Sequence, residues 1–162
     1  MTVTTPRPMA RLYCLALGTF AIGTEGLMIA PLLPDLARDL SVSLASAGQL
    51  VTVFALTYAL SSPVLTALTG DFDRRRLLIA SMLAFAAANF VALSAHSYSG
   101  LLAARILLAV AAGLYVPNAN ALASATVEAS HRGTALSIVS GGTSVAVALG
   151  VPLGALVVDG AD

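Results

Sequence analysis

Five stretches of the 162-residue chain are each long and apolar enough to cross a bilayer, and no other feature constrains the fold as strongly. A membrane-spanning helix takes about 20 mainly apolar residues. The stretches run over about 12–33, 49–69, 77–97, 100–127 and 134–158. All are rich in Ala, Leu and Val with frequent Gly and Ser, and none shows the roughly ten-residue alternation of a membrane β-barrel. Only 10% of the residues are charged, against 58% hydrophobic. A soluble domain carries about 25% charged residues, so too few remain here to cover a water-facing surface. The sequence therefore predicts an all-α integral membrane protein with five transmembrane helices. Residues 1–11 form a tail before the bundle (12–158), and 159–162 a tail after it. The bilayer is its solvent.

The same composition excludes other classes. There is no lysine, and eight arginines are matched by eight acids, so nucleic acid is not an expected partner. Cys14 is the single cysteine, which rules out a disulfide framework; no metal-ligand spacing, phosphate loop or catalytic constellation occurs, so no enzyme is expected. Arg7 and Arg11 precede the first apolar run as in a signal peptide, but the run exceeds a signal core of 7–15 residues and carries Glu25, so a retained helix is expected. Positive charge favours the cytoplasmic side. With a cytoplasmic N-terminus, Arg7, Arg11, Arg74, Arg75, Arg76 and Arg132 lie inside and only Arg38 outside. That places residues 70–76 and 128–133 of a multi-pass membrane protein on the cytoplasmic side. The segment 32–40 has apolar residues at helical spacing and reads as an extension of the first helix or a short interfacial turn. Ser41, Ser43 and Ser46 offer caps for the second helix.

Two ionisable residues sit inside spans. Glu25 lies about eight residues, near 12 Å, from the outer end of its span, and Arg105 about five residues, near 8 Å, from the outer end of its own. They share one half of the membrane and can meet across a bundle. Intramembrane charges cost at least a few kcal/mol unless paired or hydrated, and they default to a functional role; a purely structural ion pair, or a snorkelling Arg105, is the alternative. In the fifth span Gly142, Ala146, Gly150 and Gly154 recur every four residues along one stripe that also holds Pro152. Such a stripe permits close helix contact. In the fourth span Asn118 and Asn120 adjoin Pro117, either as substrate-lining groups or as partners for backbone groups the proline frees. His96 and His131 read as solvated loop histidines.

A short basic loop between the second and third helices, an arginine in the fourth and a Gly-Pro-Gly fifth helix form a set. Together they resemble the N-terminal part of a major facilitator superfamily transporter, most of all the twelve-helix drug:proton antiporters of the arabinose-efflux and chloramphenicol-exporter type. The resemblance covers about residues 10–158. It rests on Gly23-Thr24-Glu25 followed by Leu33-Pro34, on the 49–52 start of the second helix, and on Arg74 and Arg75 at the end of the loop motif. Thr66, Gly70 and Asp71 depart from that motif, with Asp71 one residue from the usual acid position. Arg105 with Gly113 matches the fourth-helix motif, although Leu108 replaces its glutamine. Gly142, Gly150, Pro152 and Gly154 match the antiporter motif of the fifth helix.

The resemblance implies proton-coupled efflux of small molecules by alternating access, with the proton as coupling ion and no cofactor. It implies Glu25 as the proton-carrying acid with Arg105 as its partner. Arg74 and Arg75, as cations near helix C-termini, would be a cytoplasmic latch, and the fifth-helix stripe a contact to a second, C-terminal lobe. Five helices of an expected twelve make the chain a fragment or a truncated product, not expected to transport alone. The alternatives are a non-transporting truncated membrane protein, or a facilitator or symporter on the same fold.

Overall fold

A computed structural model describes residues 7–159, and every regular element in it is helical: α1 (Arg7–Asp39), α2 (Leu44–Leu68), α3 (Arg74–Leu93), α4 (Tyr98–Thr126) and α5 (Arg132–Asp159). A single 3-10 turn, Ala129–His131, precedes α5. Residues 1–6 of the expected first tail and 160–162 of the last lie outside the described residues. Among the described residues, α1 to α4 are each long and apolar enough to cross a membrane.

The helix ends follow local chemistry. Ser43 caps α2 by accepting from the Ser46 N–H at 3.1 Å, Asp73 caps α3 from the Arg76 N–H at 2.9 Å, and Ser97 caps α4 from the Gly100 N–H at 3.2 Å. Each satisfies one of the free donors of a first turn. The basic segment thus belongs to structure at both ends: Arg7 and Arg11 lie in α1 rather than in a preceding tail, and Arg74–Arg76 form the first turn of α3. The segment 32–40 continues α1 through Pro31 and Pro34 as an extension, not a separate turn.

α1 ends with Ser41 in the left-handed region (φ 53°), its N–H donating to the Arg38 carbonyl at 3.1 Å while Val42 donates to the Ala37 carbonyl at 3.0 Å. This is the Schellman arrangement, in which glycine is the usual occupant because it has no Cβ penalty. Ser41→Gly is expected to stabilise the folded chain by about 1 kcal/mol, relieving a left-handed cost of about 1–2 kcal/mol against glycine's extra chain entropy. Thermal unfolding in detergent measures it.

The helices pair in a repeated pattern. α1 packs chiefly on α5, and α4 chiefly on α2 and α3; α1 meets α2, and α4 meets α5, along lesser contacts. Hydrocarbon offers no hydrophobic drive between helices, so close approach of small residues holds them. The interior is accordingly rich in alanine: Ala47, Ala104, Ala109, Ala112, Ala119, Ala123, Ala135 and Ala146 are all buried. Leu60, Leu68, Phe90 and Leu93 point outward instead, each at least 70% exposed.

The fifth-helix stripe is corrected by this packing. Gly142 and Ala146 do not face outward toward another lobe; both are buried against α1. A Cβ on Gly142 would fall 2.1 Å from the Ala16 carbonyl oxygen, and one on Gly23 would fall 2.9 Å from Ala146 Cβ. The Thr19 hydroxyl crosses the same seam and donates to the Val139 carbonyl at 2.6 Å. Pro152 is exposed, and the surroundings of Gly150 and Gly154 lie outside the described residues. Gly142→Val should destabilise the bundle by about 1–3 kcal/mol or more, because the clash is with backbone and no rotamer relieves it. Loss of folded protein after mild heating in detergent reads this out, with Gly141→Val, where a Cβ meets nothing within 4 Å, as the tolerated control.

Candidate functional site

Arg105 is the largest fully buried side chain among the described residues, 2% exposed, and lies in the first third of α4. Its Nη1 donates to Glu25 Oε1 of α1 in an ion pair across the bundle. Depth and sequence separation alone predicted that the two can meet. The structure adds the azimuth: both face the interior, so Arg105 does not snorkel toward a headgroup.

α2 closes the site from a third side, which the sequence reading missed. Arg105 Nε donates to the Leu50 carbonyl at 3.4 Å, and the guanidinium carbon lies 4.5 Å from the centre of the Phe54 ring. A cation over an aromatic face is attracted by about 0.5–2 kcal/mol, more when desolvated. Phe54 in turn stacks with Tyr58, centroids 6.5 Å apart and planes within 12°. Leu50, Phe54 and Tyr58 recur at four-residue spacing, which is the one sequence signal that they share a face.

The pair is incompletely satisfied. Glu25 Oε2, Arg105 Nη2 and the neighbouring Thr24 hydroxyl are buried without a hydrogen-bond partner. Buried polar atoms are paired in the great majority of cases, so such atoms call for an explanation. The α4 asparagines divide. Asn118 is buried and its Nδ2 donates to the Leu114 carbonyl at 2.8 Å, one turn back, so it serves the backbone near Pro117. Asn120 has a buried Oδ1 without a partner.

The sequence model described as Major Facilitator Superfamily matches residues 15–162. The chain belongs to the major facilitator superfamily. The uncharacterized MFS-type transporter YbcL of Bacillus subtilis is 38% identical over 147 residues, covering 91% of this chain and 38% of that protein. The chloramphenicol resistance protein of Streptomyces lividans is 39% identical over 145 residues, covering 90% and 37%. The MFS-type transporter YtbD of Bacillus subtilis is 36% identical over 157 residues, covering 97% and 40%. The chain thus spans about two fifths of the length of the curated relatives it matches. It is a multi-pass membrane protein of a transporter superfamily.

In this major facilitator chain the loop residues stand apart from the ion pair. Asp71, Arg74 and Arg75 are exposed and make no ion pair among the described residues. Arg74 and Arg75 sit at the N-terminus of α3, where the helix dipole opposes a cation, rather than at a C-terminus. The Asp73 cap sets a negative charge beside them. Arg75 and Arg11 border a recess of about 860 Å³ between α1, α3 and α4, walled by Leu15, Leu78, Met82 and Tyr115. Tyr115 reaches across its floor and its hydroxyl donates to the Leu15 carbonyl at 3.3 Å. Gly18 makes room for it: a Cβ there would lie 2.0 Å from the tyrosine oxygen.

Proposed function

We propose that this chain is part of a proton-driven exporter of small molecules, working by alternating access in a bacterial cell membrane. The observation that carries the reading is the Glu25–Arg105 pair inside an apolar bundle, its arginine buried and its glutamate 19% exposed, left with one free oxygen and one free nitrogen. A carboxylate held this way has two stable conditions. Ionised, it binds Arg105; protonated, it releases the guanidinium to another acceptor. Intramembrane acids of this kind mark proton relays.

Glu25 takes the coupling proton, and Arg105 Nη2 is the group toward which a polar substrate atom would turn; Asn120, about 22 Å further along α4, would line the other half of the path. Protons and substrate then compete for one hydrated cavity, which makes their movements opposite. The antiporter stripe at Gly142, Gly150, Pro152 and Gly154 supports exchange over symport. The substrate class is suggested by the relative named a chloramphenicol resistance protein. The excess of arginine at the 7–11, 74–76 and 132 positions supports a cytoplasmic N-terminus. Alternating access about a midplane site requires a second lobe, so the activity belongs to the whole transporter, with the bilayer and that lobe as partners. No cofactor enters; the coupling ion is the proton.

The test is reconstitution of the whole transporter in proteoliposomes, with chloramphenicol as first probe and an imposed pH gradient. The expected result is drug movement opposite to the proton flow that stops when a protonophore is added. Equal flux with and without the gradient would make the protein a facilitator.

A further inference from the structure

Arg105 is gripped from two sides, and only one grip depends on the charge of Glu25. On the α1 side the contact is the ion pair. On the α2 side it is the Leu50 carbonyl and the Phe54 ring, neither of which titrates. The helices beyond this point are already joined in the same two groups. α2 and α4 are fastened by the Tyr98 hydroxyl, which donates to the Ser46 carbonyl at 2.9 Å and lies 3.1 Å from Gln49 Oε1. They are fastened again where a Cβ on Gly113 would fall 2.8 Å from Ser61 Oγ. α1 and α5 are fastened by Thr19 and Gly142. Between the groups stand the ion pair, the Tyr115–Leu15 contact beside Gly18, ten residues further along α4, and the lesser α1–α2 and α4–α5 packing, in which the Phe54 ring also comes within 3.8 Å of where a Cβ on Gly26 would lie.

We propose that Phe54 is the positioning residue of the ion pair: it holds Arg105 on the α2–α4 side when Glu25 is neutral, so that α1, with α5 attached, is the element that moves. The inference rests on the reading of Glu25 as the acid that takes the proton, but its geometry is testable without transport. Neutralising Glu25 removes the only charge–charge contact between the two groups among the described residues. The other ionisable side chains within the helices packed on α1 are Tyr58 of α2, Tyr98 and Tyr115 of α4, and Arg132 and Asp159 at the two ends of α5. Phe54 and Leu50 then retain the guanidinium, the gap opens at the level of Glu25, and Tyr115 against Gly18 is the pivot.

The experiment measures two distances by paired spin labels in the whole transporter in lipid nanodiscs, with Cys14→Ala and other cysteines removed. Ala30, Ala45 and Ser99 are exposed positions on α1, α2 and α4. Glu25→Gln should lengthen the 30–99 distance by about 2 Å or more, the scale of helix shifts in switching proteins, and leave 45–99 unchanged. Adding Phe54→Leu should reverse much of that lengthening, because Arg105 is free to follow Gln at position 25. Phe54→Tyr, which keeps the ring, should preserve it. A constant 30–99 distance, a change in 45–99, or equal behaviour of the Leu and Tyr variants would each overturn the proposal. If instead Glu25→Gln transports normally while the distances behave as expected, the coupling role fails and the positioning role stands.

Discussion

Glu25→Gln is expected to lower gradient-driven efflux by about two orders of magnitude or more, the usual scale for losing a positioned proton-transfer group, while substrate binding changes little. Glutamine has nearly the same volume as glutamate, so the variant still folds and inserts. It loses the ability to carry a proton. The separation of the two effects is what identifies a coupling acid. Proteoliposomes with an imposed pH gradient read the flux, and equilibrium binding of the labelled drug reads the site. Normal pH-dependent exchange by the glutamine variant would remove Glu25 from the mechanism.

Arg105→Leu is the second large effect, and it concerns stability. Breaking a buried ion pair from one side costs about 3–5 kcal/mol, because the remaining charge is left without compensation. Here the orphan is Glu25, beside an unpartnered Thr24 hydroxyl; its side chain keeps 19% exposure, which sets the loss toward the lower end of that range. Removing the remaining charge as well takes away that penalty, so Glu25→Gln with Arg105→Leu should recover most of the loss. Acidification should do so as well. A proton on Glu25 removes the uncompensated charge, so the penalty is present at neutral and higher pH and fades as pH falls through the titration of that carboxyl. Thermal unfolding in detergent at neutral and mildly acidic pH, on the single and double variants, measures the cycle. A loss that is equal in both variants and independent of pH would mean that Arg105 acts by packing alone.

How much of this site was legible in the sequence depends on which coordinate is asked for. Counting residues along apolar runs gives depth, because each adds about 1.5 Å along the helix. Depth put Glu25 and Arg105 in one half of the bilayer, and the structure pairs them. Rotation about each helix axis is not given by counting, since nearly every position in these spans is apolar and no polar face marks the outside. Phe54 was therefore invisible as a partner of Arg105, and Gly142 was assigned outward when it lies against α1. Helix ends sat between these cases. Ser43, Asp73 and Ser97 carry capping chemistry that can be read directly, yet α1 runs through Pro31 and Pro34 to Asp39, which helices inside a membrane bundle tolerate and local propensity does not announce. The arginines of the 74–76 run were read as a loop. They form a first turn because the Asp73 cap can start a helix there.

The alanine-filled interior has a consequence for how this protein can vary. In a water-soluble domain, trimming a buried leucine is damaging and enlarging a surface alanine is harmless. This chain should show the reverse map. Leu60, Leu68, Phe90 and Leu93 are exposed among the described residues, so exchange among Leu, Ile, Phe and Met there leaves the packing of these five helices on one another intact. Ala104, Ala112, Ala119 and Ala123 have no exposed surface at all, and a single added methylene at any of them wedges two helices apart. Selection on such a chain acts on side-chain size along the seams and hardly at all on hydrophobicity, which is nearly constant throughout. Drift is thus channelled to the outer faces of the helices, and the interior can change only by paired exchanges in which one helix gives up the volume its neighbour gains.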